Sequence, residues 1–214
     1  MQDLELIALL CSKLCHDLVG PVSALGNGVE ILDEEDDPEM RKQALELLSH
    51  SAELAANRLK FLRLAFGAAG GEGVPISLAE ARMTARDFIS EGRGELDWPL
   101  PDDGSGPALD KTSVKLLLNL ILVANDAIPR GGQVRVTLAE STEGVDATVS
   151  AEGPAARLAD GVEVAFDPDG AASQLNPRSA PARLATRLAQ SIGRSITVSP
   201  GVEQVALSVE LQSA

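Results

Sequence analysis

The sequence has few of the side chains on which several classes of protein depend. It contains no tyrosine, one tryptophan, four phenylalanines and two cysteines among 214 residues. Because hydrophobic residues still make up 44% of the chain, aliphatic side chains must fill its core. Cys11 and Cys15 cannot provide a disulfide framework. We expect Cys11 to be a core residue and not a metal ligand, because no fourth ligand lies nearby in the sequence.

Positive charge is also scarce. Eighteen lysines and arginines face 32 acidic residues, which gives a formal net charge of −14. Nucleic acids and anionic membranes are bound by clustered cations, so we expect neither as a partner. The most apolar run, LLLNLILVA from Leu116, is too short to span a bilayer, and the first ten residues lack the basic residues of a signal peptide. These features predict a cytoplasmic protein.

The first part of the chain has the apolar spacing of two long helices. Apolar residues recur every three or four positions from Leu4 to Leu32, and again from Leu45 to Phe66. The acidic run at 33–37 separates the two series, with Asp37 as a predicted N-cap before Pro38. We therefore expect a helical hairpin over residues 1–68, followed by a glycine-rich linker at 69–75.

Two helices alone cannot enclose a core. The second predicted helix carries two apolar stripes, so it needs neighbours on two sides. The economical arrangement is a homodimer in which two hairpins form a four-helix bundle. Packing of the hairpin on the rest of its own chain is the alternative.

The remaining residues, 76–214, mix two periods. Helical patterns lie near 78–91, 111–127 and 181–192, and strand-like alternation lies near 133–139, 145–151, 195–199 and 204–211. This mixture predicts an α+β domain with one mixed or antiparallel sheet and helices on one of its faces.

One of only two histidines lies in the stretch CHDLVGP at 15–21. With Leu4 at heptad position a, His16 falls at position f, so its imidazole should point to solvent. Asp17 could accept a hydrogen bond from one ring nitrogen and fix the tautomer, although adjacent helical residues do not share a face. Gly20 would leave room for a docking protein, and Pro21 removes a helical hydrogen bond. An exposed histidine without a function is the alternative that the spacing leaves open.

This stretch resembles the phosphoacceptor helix of two-component histidine kinases, whose pattern is His-acid-Leu-x-x-Pro. His16, Asp17, Leu18 and Pro21 match that pattern. The stretch from Leu117 to Val136 resembles the asparagine box of the kinase ATP-binding domain, with matches at Asn119, Pro129, Gly131 and Gly132. RLATRLAQSIGRSITVS, from Arg183, resembles the helix and strand that follow the last glycine box of the kinases.

The residues that bind nucleotide in the kinases are not matched. Val123 stands where the kinases have the asparagine that holds magnesium. Ala151 replaces the adenine-binding aspartate, and Ala155 replaces a glycine of the same box. Pro181 stands near the last glycine box, where the kinases need a flexible phosphate cradle. The resemblance therefore implies a degenerate ATPase-like (Bergerat-type) α/β sandwich that binds no ATP.

A phosphoacceptor helix beside a degenerate ATPase-like domain resembles the ChpT-type histidine phosphotransferases of bacterial phosphorelays. The resemblance implies that His16 accepts a phosphoryl group from the phospho-aspartyl receiver domain of a hybrid kinase and passes it to response regulators. Asp17 would orient His16, Gly20 and Pro21 would lie at the docking surface, and Lys13 would neutralise phosphoryl oxygens. The chain would bind no cofactor, and Mg²⁺ would be held by the receiver. A receiver-docking adaptor and a kinase with an eroded ATP site remain as alternatives.

Overall fold

The chain begins with a helical hairpin, as the sequence predicts. The computed structural model describes residues 2–67, 76–101, 106–142 and 144–213. Helix α1 (Gln2–Glu34) and helix α2 (Pro38–Phe66) are joined by three residues. The side chain of Asp37 accepts a hydrogen bond from the backbone N–H of Glu39 at 3.1 Å, so it is the predicted N-cap. The predicted linker at 69–75 lies outside the described residues, and the domain limits drawn from it stay a prediction.

The rest of the chain builds a mixed sheet and a layer of helices. After α3 and β1 come α4, two long strands, a short helix, a 3₁₀ turn, α6 and a final hairpin. Their bounds are α3 (Leu78–Ser90), β1 (Gly94–Asp97), α4 (Lys111–Asp126), β2 (Gly132–Glu140), β3 (Val145–Glu152), α5 (Val162–Phe166), the 3₁₀ turn (Ala172–Gln174), α6 (Ala180–Ser191), β4 (Thr197–Gly201) and β5 (Gln204–Leu211).

The strands are arranged in the order β1-β2-β3-β5-β4. β1 is parallel to β2, and the other neighbours are antiparallel. Buried residues alternate along β3, from Val145 to Ala151, so helices cover one face of the sheet only. The predicted α+β fold is therefore confirmed. Strand β1 and helix α5, which the sequence did not predict, have four and five residues, too few for a periodic signal.

Helix α4 forms the centre of the core. Its residues from Ser113 to Ala124 are all buried except Lys115, and it packs on α6, α3 and three strands of the sheet. A helix buried on all sides has apolar residues around its whole circumference. The apolar run from Leu116 is thus the middle of a globular core.

The segment between α5 and α6 is held by one buried arginine. The guanidinium of Arg183 on α6 donates hydrogen bonds to the carbonyl oxygens of Val164, Asp167, Pro168 and Gly170, at 2.8–3.3 Å. Arg183 is only 5% exposed. Burial and the nearby charge of Arg187 lower the pKa of the Arg183 guanidinium, which Asp167 partly offsets. One side chain therefore supplies donors to carbonyl groups that no regular helix or strand satisfies in this segment.

We expect Arg183→Met to destabilise the protein by about 3 kcal/mol, because four backbone carbonyl groups lose a charged donor that lies in the interior. Urea unfolding followed by circular dichroism measures this loss. The matched control is Arg86→Met on α3, where the side chain is 67% exposed and the change should be within about 0.5 kcal/mol. Equal stability of the two variants would contradict the structural role of Arg183.

Candidate functional site

His16 stands in solvent while its neighbour Asp17 is largely covered. The side chain of His16 is 74% exposed, as its heptad position predicts, and that of Asp17 is 13% exposed. His16 Nδ1 lies 3.3 Å from Asp17 Oδ1, so the two side chains do meet although they are adjacent on a helix. An ionised carboxylate can only accept, so this contact requires that Nδ1 carry the hydrogen. The lone pair of the neutral ring is then on Nε2.

The proline of the motif frees a backbone acceptor beside His16. In a regular helix the N–H of residue 21 would donate to the carbonyl oxygen of Asp17, and Pro21 has no N–H. The guanidinium of Arg58, on α2, donates to this oxygen instead, with Nη1 at 2.6 Å. Arg58 also donates from Nε to Glu91 Oε2 at 3.0 Å, at the end of α3. Helix α1 continues through Pro21 without a break.

Two predicted docking residues have different surroundings. Gly20 is exposed, and a Cβ atom there would have no neighbour within 4 Å, so the surface next to His16 is open. Pro21 is buried. The prediction that Pro21 belongs to a docking surface is therefore wrong, because its ring faces the protein interior. Pro21 contributes to the site indirectly: because it has no N–H, the carbonyl oxygen of Asp17 has no helical donor and can bind Arg58.

Lys13 is not directed to a phosphoryl group. Its ammonium lies 3.1 Å from Asp17 Oδ2 and 3.1 Å from Asp126 Oδ2, and its side chain is 9% exposed. Burial alone would lower the pKa of Lys13, but the charges of Asp126 and Asp17 and the hydrogen bonds to both raise it above its ordinary value. The structure thus corrects the predicted role of Lys13, because its charge is already shared by two carboxylates.

An open cleft separates α1 from the domain that follows the hairpin. Its volume is about 830 Å³, and its walls carry both charged and amide side chains. Asn125 and Asp126 come from the end of α4, and Arg93 follows α3. The charged, imidazole and amide side chains of its lining are Lys13, His16, Asp17, Arg93, Asn125, Asp126, Asp160, Asn176 and Arg178. The exposed ring of His16 is therefore at the rim of a concave surface that contains two arginines.

The residues that the resemblance aligns with the nucleotide site of the kinases lie in the core. Asn119 is buried and donates from Nδ2 to the carbonyl oxygens of Ala65, in the last turn of α2, and Lys115. Val123 and Ala151 are 3% and 0% exposed. These residues do not fit a nucleotide, since the asparagine is committed to the hairpin and the other two offer no polar atom. Ala155 retains a positive φ of 62°, a backbone conformation that favours glycine.

No alternative metal site is seen. Among the described residues, no group of three or more histidine, cysteine, aspartate and glutamate side chains could hold a metal ion. Both cysteines are exposed in the single chain. Cys11 was expected on the packed seam of α1, and its burial there stays a prediction, because the single chain leaves that part of α1 exposed.

Sequence reasoning missed three residues of the site: Arg58, Glu91 and Asp126. No motif or periodicity in the sequence singles out any of the three. The one available signal was the proline, which demands another donor for the carbonyl of Asp17. Nothing in the sequence indicates which arginine supplies it.

Comparisons with known proteins agree on one family. The family described as "Histidine phosphotransferase C-terminal domain" matches residues 78–204. The protein phosphotransferase ChpT of Brucella abortus (strain 2308) is 44% identical over 138 residues, which are 64% of this chain and 63% of that protein. The structure titled "1.7 Angstrom Structure of a Bacterial Phosphotransferase" has a TM-score of 0.80 at 32% identity, and covers 97% of this chain and 96% of its own.

A double-mutant cycle tests the link between Pro21 and Arg58. Arg58→Met should destabilise the protein by about 2 kcal/mol, because the buried carbonyl of Asp17 loses its donor. In a Pro21→Ala background, the new backbone N–H can donate to that carbonyl, so the same change should cost about 1 kcal/mol less. The loss of the Glu91 contact is common to both backgrounds and cancels. Urea unfolding of the four proteins at one concentration measures the coupling.

The control for this cycle is Arg63→Met, an exposed arginine of α2. It should show no coupling to Pro21→Ala. Additive effects of Arg58→Met and Pro21→Ala would contradict the assignment of Arg58 as the replacement donor.

Proposed function

Because this chain belongs to the histidine phosphotransferase family, we propose that His16 carries a phosphoryl group between two receiver domains of a phosphorelay. The donor is the phospho-aspartyl receiver domain of a hybrid histidine kinase. The acceptors are the receiver domains of response regulators. The observation that carries the proposal is the exposed imidazole of His16, whose Nδ1 faces Asp17 and whose Nε2 is left to react.

The transfer needs no proton to leave the protein. The lone pair on Nε2 attacks phosphorus in line with the aspartyl oxygen of the donor. The Nε2–P bond forms, the P–O bond to the aspartyl group breaks, and the aspartate leaves as a carboxylate. The ring keeps its hydrogen on Nδ1 and becomes a cation, which the carboxylate of Asp17 at 3.3 Å stabilises. The acceptor aspartate reverses these steps when it attacks the same phosphorus.

This chemistry is mostly positioning and charge neutralisation. The receiver supplies Mg²⁺ for the phosphoryl oxygens, so this chain needs no metal of its own. The chain also uses no ATP in this proposal. The support is that Asn119, Val123 and Ala151 are committed to the core, where they cannot contact a nucleotide.

The cleft beside His16 is the proposed docking surface for receivers. Gly20 leaves the surface next to His16 open. Arg93 and Arg178 bring positive charge to the lining of the cleft, which Asp126 and Asp160 share. The phosphorylation site of a receiver is acidic, because carboxylates hold its Mg²⁺. Two arginines at the rim would therefore attract the active face of a receiver.

His16→Ala should abolish phosphotransfer, because no other side chain of the site offers a nucleophilic nitrogen with a free lone pair. Incubation with a radiolabelled phospho-receiver measures this loss. Label on the wild type should be acid-labile and base-stable, as expected for phosphohistidine. His50→Ala, at the other histidine, is the control and should retain full transfer.

The same experiment separates the competing functions. Binding of the receiver should persist in His16→Ala, measured by isothermal titration calorimetry. Wild-type protein that binds receivers but takes no label would be an adaptor. Label that appears on the purified chain with ATP alone would identify a kinase. Either result would overturn the proposed function.

The hairpin has an apolar face that the single chain leaves uncovered. Leu4, Ile7, Val22 and Val29 of α1 are 51–73% exposed. On α2, Leu45 and Leu59 are 57% and 50% exposed and lie two heptads apart, with exposed Ala52 midway. Exposed apolar stripes at heptad spacing on two antiparallel helices are typical of a four-helix bundle. We propose that a second copy of the chain packs on this face to form a homodimer.

A membrane is the competing explanation for these exposed residues. By length and composition alone, the segment Asp3–Glu34 could cross a bilayer. Lys13 and Asp17 lie near its middle, and Lys13 is paired both with Asp17 and with Asp126 of the following domain. A spanning helix could not keep that domain beside its centre, so we propose a dimer in the cytoplasm.

Leu45→Glu combined with Leu59→Glu should convert the dimer to a monomer, because charged side chains would be buried at the seam. Light scattering coupled to size exclusion measures the mass. Met83→Glu on α3, where the side chain is 53% exposed and outside the hairpin, is the control and should stay dimeric. A monomeric wild type, or a dimeric double variant, would contradict the proposed interface.

A further inference from the structure

Asp17 is the meeting point of two cations. Lys13, one turn before it on α1, contacts its carboxylate at 3.1 Å and 3.3 Å. Arg58, from α2, contacts its backbone carbonyl oxygen at 2.6 Å. The carboxylate and the backbone of the residue that follows His16 are therefore held from two sides.

Each cation is bound in turn by an anion of the domain that follows the hairpin. Asp126, the last residue of α4, lies 3.1 Å from Lys13. Glu91, the residue after α3, lies 3.0 Å from Arg58. Two chains of contacts thus run from α4 and α3, through the hairpin, to the residue beside the reactive ring.

These contacts are partly shielded from water. The side chains of Lys13, Glu91 and Asp17 are 9%, 5% and 13% exposed, while those of Asp126 and Arg58 keep 29% and 30% of their surface exposed. Burial raises the pKa of Asp126, against the effect of Lys13, and the charge of Asp17 raises it further. Burial likewise raises the pKa of Glu91, against the effect of Arg58. Charges in such surroundings interact strongly and fix geometry more firmly than exposed pairs do.

From this arrangement we infer that Asp126 is a positioning residue for phosphotransfer, which acts through Lys13 on the Asp17–His16 contact. Lys13 shares its charge between two carboxylates. When Asp126 takes part of that charge, Asp17 remains a good acceptor for His16 Nδ1–H, and the lone pair stays on Nε2. The domain that follows the hairpin then has a direct part in the chemistry in addition to receiver docking.

Asp126→Asn tests the inference, because it keeps the size of the side chain and an acceptor for Lys13 but removes the charge. Lys13 then pairs with Asp17 alone, which weakens Asp17 as an acceptor for His16. We expect the ¹⁵N NMR signals of histidine-labelled protein, at a pH where both rings are neutral, to show less of the Nδ1–H tautomer of His16. Asp17→Ala, which removes the acceptor altogether, sets the largest shift that its loss can cause.

The chain provides its own reference, since His50 is the only other histidine. Its signals should not change in Asp126→Asn, which also shows that the variant is folded. Asp146→Asn, at an exposed position of β3, is the matched control and should leave both histidines unchanged. Asp126→Glu, which keeps the charge, should stay close to the wild-type tautomer ratio.

The inference rests on the proposed function, but the NMR measurement needs no receiver and so tests the positioning by itself. At saturating phospho-receiver, Asp126→Asn should also lower the single-turnover rate about tenfold, the usual cost of losing an outer hydrogen-bonding partner. An unchanged tautomer ratio of His16, or an equal change in Asp146→Asn, would overturn the inference. If Asp126→Asn shows the tautomer shift but the wild-type protein accepts no phosphoryl group, only the proposed function is overturned.

Discussion

The contacts of Asp17 with Lys13 and Arg58 determine how the site is built. They attach the hairpin to the following domain at two points, through Asp126 and Glu91. The imidazole of His16 can therefore be exposed and still be held in one orientation, because Asp17, which it contacts, is fixed between two cations. Pro21 is part of the same arrangement, since its missing N–H gives Arg58 a carbonyl to bind. A reactive group on a rigid support suits transfer to another macromolecule, which must find the group in a fixed place.

The following domain is held in shape by single residues with well-defined roles. Asn119 donates a hydrogen bond to the carbonyl oxygen of Ala65, so it attaches α4 to the end of α2. Arg183 organises the segment between α5 and α6 with hydrogen bonds to four carbonyl groups. Ala155 keeps the left-handed backbone of a glycine position although it has a side chain. In each case the backbone is preserved by contacts within the protein.

Much of the fold could be predicted from the sequence, because its signals are local. Apolar periodicity gave both long helices, and Asp37 and Pro38 marked the start of α2. Four of the five strands were found by alternation, whereas the four residues of β1 carry too little pattern. The exposure of His16 also followed from its heptad position. The ionic partners could not be predicted, because Lys13 and Asp126 lie 113 residues apart and their contact depends on how the domains pack. Burial reversed two expectations, for Lys13 and Pro21, since helix periodicity does not show which neighbouring element covers a position.

The exposed ring of His16 offers a single nitrogen to the outside, the one not directed at Asp17. On the proposed mechanism, donor and acceptor must visit that atom one after the other, and a docked acceptor excludes a donor. The two classes of partner would then compete, and every step of the exchange is reversible. The net direction of transfer would follow the relative abundance of phosphorylated and unphosphorylated partners. The same protein would then phosphorylate or dephosphorylate a regulator, according to the state of the kinase upstream.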